Sequence, residues 1–409
     1  MLQTRILQIL FLFMLVFCFC QNKISKRKDA HQSEYVNNIE IYPGCYDLPK
    51  YFSKIKNKKI GLVIHPCSVI GESLLLDSLI SLGIHIEKIF VPEHGFRGNE
   101  DAGENVNSSI DAKTRLPIIS LYGKNKKPTA KDLEGIDIVL FDLQDVGARF
   151  YTYISSLHYI MEACTEQNKE LIILDRPNPN GFYVDGPVLD TSCKSFIGMH
   201  PIPIVYGMTI GELARMIKGE NWINNANELK LFVVPCMNYT HSSHYKLKIK
   251  PSPNLPNNLA VLLYPSLCLL EGTCASLGRG TELPFQIYGH PEFTQYDTIF
   301  MPRSMTGAKS PPLMDKICKG FSLTRRSEDS LMNQNKISLD YLLNSFKYLN
   351  ARSDFFLENN FIDLLVGNKE FKNQIKANWS EENIRSSWNA KLDSFKLKRK
   401  QYLLYKDYY

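Results

Sequence analysis

What most limits the folds open to this chain is the alternation, from residue 58 onward, of short apolar runs with helical patterns. Residues 59–65, 84–91, 117–122, 136–142 and 171–175 read as strands rich in Ile, Val and Leu. Between and after them, 72–82 and 153–167 carry helical spacing. Thr209-Ile-Gly-Glu212 has the residue types of a capping box, so a helix is expected from there to about residue 218, and 229–234 supplies one more strand. Apolar strands joined through helices call for a mainly parallel sheet covered on both faces. The expectation is a Rossmann-like, doubly wound α/β domain.

After Pro235 the texture changes. Prolines at 251, 253, 256 and 265 are expected to break the chain, glycines gather between 272 and 289, and helical patterns return near 342–349 and 384–400. A second, smaller α+β domain is expected there, with boundaries at 46–235 and 236–409, the later part completing a cleft. Hydrophobic content of 44% and charged content of 22% exclude a disordered or coiled-coil chain. The net charge of +6 comes from interspersed lysines, which gives no basic block and no reason to expect a nucleic-acid partner.

The beginning of the chain sets an expected compartment. Arg5 precedes an apolar run over 9–20, and Gln21, Asn22 and Lys23 follow it. The run falls short of the roughly 20 residues that span a bilayer, so 1–20 reads as a signal peptide and 21–45 as a polar tether. The protein is expected to be exported, periplasmic, and tethered to the membrane if Cys20 is lipidated. The remaining cysteines form no Cys-x-x-Cys pair, so no zinc site is expected. Cys67, Cys164, Cys268 and Cys274 stand among apolar residues and read as buried thiols, disulfides being possible but not pairable from spacing.

In an open parallel sheet ligands bind beyond the carboxyl ends of the strands. The strand ends here carry His65-Pro-Cys67, then Glu93 and His94 with Arg97, then Tyr122-Gly123, then Asp142, Gln144 and Asp145, then Asp175 and Arg176 with Asn178. Arg149, Tyr151 and Tyr153 follow the fourth end closely. Any one of these is ordinarily a cap, an ion-pair partner or a packing group; polar groups at five successive ends point to a site. No Gly-x-Gly-x-x-Gly follows the first strand, no Gly-Lys-Ser/Thr occurs, and Gly-x-Ser-x-Gly is absent, which disfavours nucleotide cofactors and a serine-hydrolase elbow. No cofactor and no metal are expected. Carboxylates among aromatics and amides suit glycoside cleavage: a protonated carboxyl serves the leaving oxygen, a second group acts as base or nucleophile, and rings stack on sugars. The second half adds Asn254, Glu271 and Arg279 in Pro- and Gly-rich turns.

Several stretches together resemble the exo-β-N-acetylmuramidases of the NamZ or YbbC type, once known only as a domain of unknown function. They are Pro92-Glu-His-Gly-Phe-Arg-Gly98, the run 141–154, Leu174-Asp-Arg-Pro-Asn-Pro179, the run 207–214, Pro251-Ser-Pro-Asn254, and Glu271-Gly-Thr273 with Gly278-Arg-Gly-Thr281. The similarity extends from about residue 58 to Tyr402-Leu-Leu-Tyr405. It implies release of terminal N-acetylmuramic acid from the non-reducing ends of peptidoglycan fragments, by a Rossmann-like domain and a smaller C-terminal domain enclosing a cleft. Arg176, Arg279 or Arg149 then has a lactyl carboxylate to hold. Glu93, directly after a strand in the most specific short motif, is the expected catalytic acid, and Asp142, Asp145 and Glu271 compete for the second role. His94, Arg97, Gln144, Tyr151, Tyr153, Asp175, Asn178 and Asn254 are expected to bind substrate. One departure is Ile64-His-Pro66, where relatives carry Thr-Asn-Pro or a similar triplet. The alternative reading is a muropeptide-binding lipoprotein that kept the cleft without the chemistry; a hydrolase acting on peptide or ester bonds lacks a nucleophile signature.

Overall fold

In the computed structural model, which describes residues 40–92, 96 and 109–408, the first predicted strand runs through the interior of the main sheet. β1 (Lys59–Ile64) is buried from Ile60 on. It pairs in parallel with β2 (His85–Val91) on one side, and β2 in turn pairs in parallel with β3 (Pro117–Ser120). On the other side lie β4 (Ile138–Asp142), β5 (Glu170–Leu174) and β6 (Leu231–Val234), again all parallel. The order is therefore β3-β2-β1-β4-β5-β6, with Ser109–Ile110 adding a short antiparallel edge to β3. Strand order reverses between β1 and β4, so a crevice opens at the carboxyl ends of those two strands.

Residue alternation explains why both faces need cover. Ile60, Leu62 and Ile64 of β1 and Ile138 and Leu140 of β4 pack with Tyr51 and Ile55 of α1 (Leu48–Ile55) and Leu75, Leu76 and Leu79 of α2 (Leu75–Ser81). Val63, Val139 and Phe141 point the other way, into a cluster with Leu157 and Met161 of α3 (Tyr153–Glu166) and Leu213 and Ile217 of α4 (Ile210–Gly219). Each such side chain contributes roughly 1.5–3 kcal/mol by leaving water. The expected capping box closes α4: Thr209 accepts from the Glu212 amide and Glu212 from the Thr209 amide.

Three expectations need correction, and one falls outside the described residues. The helix expected over 72–82 begins only at Leu75, because Ser73–Leu74 pairs with Val69–Ile70 as a hairpin. Residues 41–45, counted with the tether, dock on the fold: Tyr42 pairs with Met237, and the Gly44 amide donates to the Asp175 carbonyl at 2.7 Å. Pro265 does not break the chain but lies inside α5 (Asn258–Leu267). Proline lacks the N–H that would reach back to the carbonyl four residues earlier. That carbonyl, of Val261, instead accepts from Asn180 Nδ2 at 3.1 Å. Residues 1–39, which include the expected signal peptide, most of the tether and Cys20, lie outside the described residues.

Beyond α5 the chain forms the smaller α+β part. β7 (Ile287–His290), β8 (Thr298–Phe300) and β9 (Cys318–Ser322) make an antiparallel sheet ordered β7-β9-β8. Six helices follow: α6 (Glu328–Gln334), α7 (Asp340–Tyr348), α8 (Phe361–Val366), α9 (Phe371–Lys376), α10 (Glu381–Ser386) and α11 (Asn389–Arg399). The helical pattern expected over 384–400 is thus split at Ser387 and Trp388. The α3 and α4 side of the first sheet shares its hydrophobic cluster with Tyr264, Phe355 and Trp388. The chain from Ile41 onward forms one compact unit. All eight described cysteines are free, and only Cys274 among them is incompletely buried.

Candidate functional site

The crevice at the strand-order reversal is built from the residues at the ends of β1, β4 and β5. His65, one residue past β1, accepts the Gln144 amide on Nε2 at 2.8 Å, which places its proton on Nδ1. The departure at Ile64-His-Pro66 thus ties the first strand end to the fourth. Ser68 accepts the His65 amide at 3.0 Å and donates to the Asp142 carbonyl at 2.5 Å. The Gln144 side chain donates at 2.8 Å to the carbonyls of Asp145 and Pro177. Arg176 meets Asp142 in bidentate fashion, Nε to Oδ1 at 2.6 Å and Nη2 to Oδ2 at 2.8 Å. Gln144, Arg176, Cys67, Tyr46 and Tyr245 line a cavity of about 100 Å³ above this floor.

Asp145 stands three residues on, and its surroundings differ. Oδ2 accepts the Gly147 amide at 2.7 Å and the Tyr206 hydroxyl, while Oδ1 is buried with no hydrogen-bond partner among the described residues. Burial pushes its carboxyl up to about 6, against the opposing pull of Tyr206 and Gly147. The turn is specific to glycine: Gly147 has φ +77°, and a Cβ there would lie 2.2 Å from Asn178 Oδ1.

From His65 an aromatic wall leads to a second pocket. The rings of His65 and Tyr153 meet edge-on at 5.1 Å, Tyr153 and Tyr151 at 4.7 Å, and Tyr151 and Tyr264 at 6.1 Å. The Tyr151 hydroxyl donates to the Pro251 carbonyl at 2.8 Å, fixing the proline-rich turn against the wall. Tyr151, Tyr153, Tyr264 and Phe285, with Asn254, Glu271 and Arg279, line a pocket of about 210 Å³. Within it Arg279 Nε and Nη2 both donate to Glu271 Oε1, at 2.9 and 2.5 Å, and the guanidinium lies 5.2 Å from the Phe285 ring centroid. Its Nη1 makes no hydrogen bond among the described residues. Asn254 Nδ2 donates to the Gly307 carbonyl at 2.8 Å, which fixes the amide at the pocket edge.

Of the residues expected at the site, Asp142, Gln144, Asp145 and Arg176 gather at the sheet edge, and Tyr151, Tyr153, Asn254, Glu271 and Arg279 at the aromatic pocket. Three others sit elsewhere. Arg149 is fully buried and donates to the carbonyls of Pro187, Ile202, Leu365 and Val366 at 2.6–2.9 Å, tying the first domain to α8 rather than reaching a pocket. Burial pulls its guanidinium below the ordinary value. Asp175, which burial pushes up to about 6, accepts from Thr209, Tyr405 and the Gly211 amide and so anchors α4 and the chain's end. Asn178 bridges the Asn180 amide and the Met208 carbonyl. Glu93, His94 and Arg97 lie outside the described residues. Among the described residues no three His, Cys, Asp or Glu side chains converge as metal ligands.

Sequence reasoning did not single out Tyr206, whose hydroxyl holds Asp145, nor Tyr46 and Tyr245. Tyr206 stands in the apolar run 202–208, where the available signal is that a buried tyrosine hydroxyl needs a partner.

Comparison with known proteins places this geometry in a family. Residues 60–259 match the model for exo-β-N-acetylmuramidase NamZ, N-terminal, and residues 262–405 the model for its C-terminal part. The peptidoglycan β-N-acetylmuramidase NamZ of Bacillus subtilis (strain 168) is 37% identical over 402 residues, 93% of this chain and 94% of that protein. Two crystal structures of DUF1343 family proteins from Bacteroides fragilis NCTC 9343 share the fold. One has 46% identity and a TM-score of 0.84 over 90% of this chain and 99% of its own; the other has 27% and 0.76 over 90% and 100%.

Proposed function

The chain belongs to the exo-β-N-acetylmuramidase family of NamZ, and on that premise we propose that it is a glycosidase releasing terminal N-acetylmuramic acid from the non-reducing ends of peptidoglycan fragments. The observation that carries the reading is the aromatic pocket of Tyr151, Tyr264 and Phe285 with the Glu271–Arg279 pair inside it. Ring faces suit a pyranose, and a guanidinium with an uncommitted N–H suits the lactyl carboxylate that distinguishes this sugar from N-acetylglucosamine.

Hydrolysis breaks the bond between the anomeric carbon and the glycosidic oxygen, adds the water's hydroxyl to that carbon, and returns a proton to the leaving oxygen. Glu93 is the proposed proton donor, on the strength of its motif Pro92-Glu-His-Gly-Phe-Arg-Gly98, which in sequence comes straight after β2. Asp145 is the carboxyl best suited to a proton-holding second role, because burial has already moved it toward neutral pH. Asp142 is committed to Arg176 and serves the frame. Glu271 acts through Arg279. Export and attachment to the periplasmic face of the membrane through Cys20 extend the proposal, supported by the apolar run over 9–20; labelling with a palmitate analogue must disappear in Cys20→Ser.

The test is a pair of chromogenic substrates, an N-acetylmuramide and its N-acetylglucosamine counterpart. Cleavage of the first alone is expected, and cleavage of neither overturns the reading in favour of a binding protein. Glu93→Gln should abolish turnover with an unchanged unfolding curve; near-normal release by that variant removes Glu93 from the donor role.

A further inference from the structure

A third cavity, of about 500 Å³, lies on the C-terminal sheet and shares no lining residue with the two already described. Its volume is in the roughly 300–1,000 Å³ range of small-molecule sites. Antiparallel pairing sets Tyr288 of β7 opposite Phe321 of β9, and their rings stack at 5.6 Å with 28° between planes. Tyr348 of α7 stacks on Phe321 in the same manner, at 5.2 Å and 29°. Tyr341, two turns earlier on the same helix face, meets Tyr288 edge-on at 5.6 Å. Phe321 and Tyr348 are only half-buried, so this stack keeps ring surface at the cavity.

The basic part of the lining is uncommitted. Arg325 and Arg326, in the turn after β9, are exposed, and neither guanidinium enters an ion pair or a hydrogen bond among the described residues. Arg176, Arg279, Arg303, Arg352, Arg385 and Arg399, by contrast, are each bound by a carboxylate. Asp297 and Asp340 also line the cavity, and the former already accepts the Ser322 amide at 2.8 Å. Two adjacent free guanidinium groups ask for an anion. The two carboxylates oppose a multiply charged phosphate but accept hydroxyl groups, and the stacked rings present faces for C–H bonds of a flat sugar face. A hydroxyl-rich ring with one carboxylate satisfies all three requirements together.

We infer that this cavity is a second glycan-binding site, taking a carboxylate-bearing amino sugar of the polymer through Arg325 and Arg326 and the Tyr288–Phe321–Tyr348 stack. The identity of the sugar rests on the function proposed above; the site itself rests on the cavity and its uncommitted arginines. A substrate fragment long enough to reach it is held at two points and dissociates more slowly than a single sugar.

The probe is N-acetylmuramic acid alone, added to the whole protein while the arginine side-chain NMR signals are followed, with Arg325→Lys and Arg326→Lys assigning them. Saturable shifts at both residues are expected, and they should vanish in the double variant Arg325→Ala/Arg326→Ala. That variant should cleave the chromogenic N-acetylmuramide within twofold of wild type, with KM for a multi-sugar peptidoglycan fragment raised several-fold. Absence of shifts overturns the inference, as does an equal response to N-acetylglucosamine or a stronger one to inorganic phosphate. Failure of the functional reading would show separately, as no cleavage of the chromogenic substrate by the wild-type protein.

Discussion

Arg176 grips Asp142 at the edge of the parallel sheet, and Arg279 grips Glu271 in the aromatic pocket, in both cases through Nε and Nη2 at 2.5–2.9 Å. The side chains of the first pair are 4% and 0% exposed, those of the second 29% and 21%. In the first, both carboxylate oxygens are engaged and water is excluded, so the pair works as a strut joining the ends of β4 and β5. In the second, one oxygen takes both contacts and a guanidinium nitrogen is left over. The same two functional groups therefore do different work according to burial: one fixes the frame of the crevice, and the other is available to an incoming anion.

The sharpest way to break that contrast is to remove Arg176. Arg176→Met leaves Asp142 charged in a sealed site and should destabilise the fold by about 3–5 kcal/mol, measured by urea unfolding. The double variant Arg176→Met/Asp142→Leu should recover most of that, since an apolar pair of similar volume replaces a buried ion pair at little cost. Near-wild-type stability of the single variant would mean that the pair is not the strut its burial indicates.

Asp145 provides the intermediate case, a buried carboxyl with no guanidinium. Its value is raised from 3.8 to about 6, so between those pH values the folded protein keeps a proton that the unfolded chain has released. Stability contributed by this group is complete below pH 3.8 and is lost as pH rises through 6. The loss amounts to about 3 kcal/mol at roughly 1.4 kcal/mol per unit. Asp175 behaves in the same direction, so the informative quantity is the difference between wild type and Asp145→Asn. The variant should gain on wild type as pH rises from about 4 to about 7; a constant difference would refute suppressed ionisation at Asp145.

Much of this could be read from the chain before folding. The sheet was legible because β1, β4 and β5 carry dense runs of Ile, Val and Leu, which is local information. The strand ends were legible because the fold class dictates where they converge, and Asp142, Gln144 and Arg176 do meet there. What was not legible depends on partners distant in sequence. Arg149 resembles a ligand-binding arginine until its donors are found on carbonyls 38 to 217 residues away. Pro265 resembles a helix stop until Asn180, 81 residues from Val261, takes the freed carbonyl. Tyr206 gains its meaning only from Asp145, 61 residues earlier.

The open pair gives the smallest expected effect and the most discriminating one. Replacing Arg279 by Gln removes the charge from a partly hydrated pocket, and Glu271, 21% exposed, can be solvated when its partner is gone. The change in fold stability should therefore stay under about 1 kcal/mol, as for other solvent-reached pairs. Loss of a charged hydrogen bond to substrate is worth roughly 1.5–3 kcal/mol, which corresponds to a rise of about 10- to 100-fold in KM for the chromogenic N-acetylmuramide. If Arg279 holds the substrate equally before and during bond cleavage, kcat should change little. Arg279→Lys should recover only part of the loss, since it keeps the charge and surrenders the planar fork. A purely structural Arg279 would instead lower the unfolding midpoint and reduce kcat with KM unchanged, and that pattern would erase the distinction drawn between the two pairs.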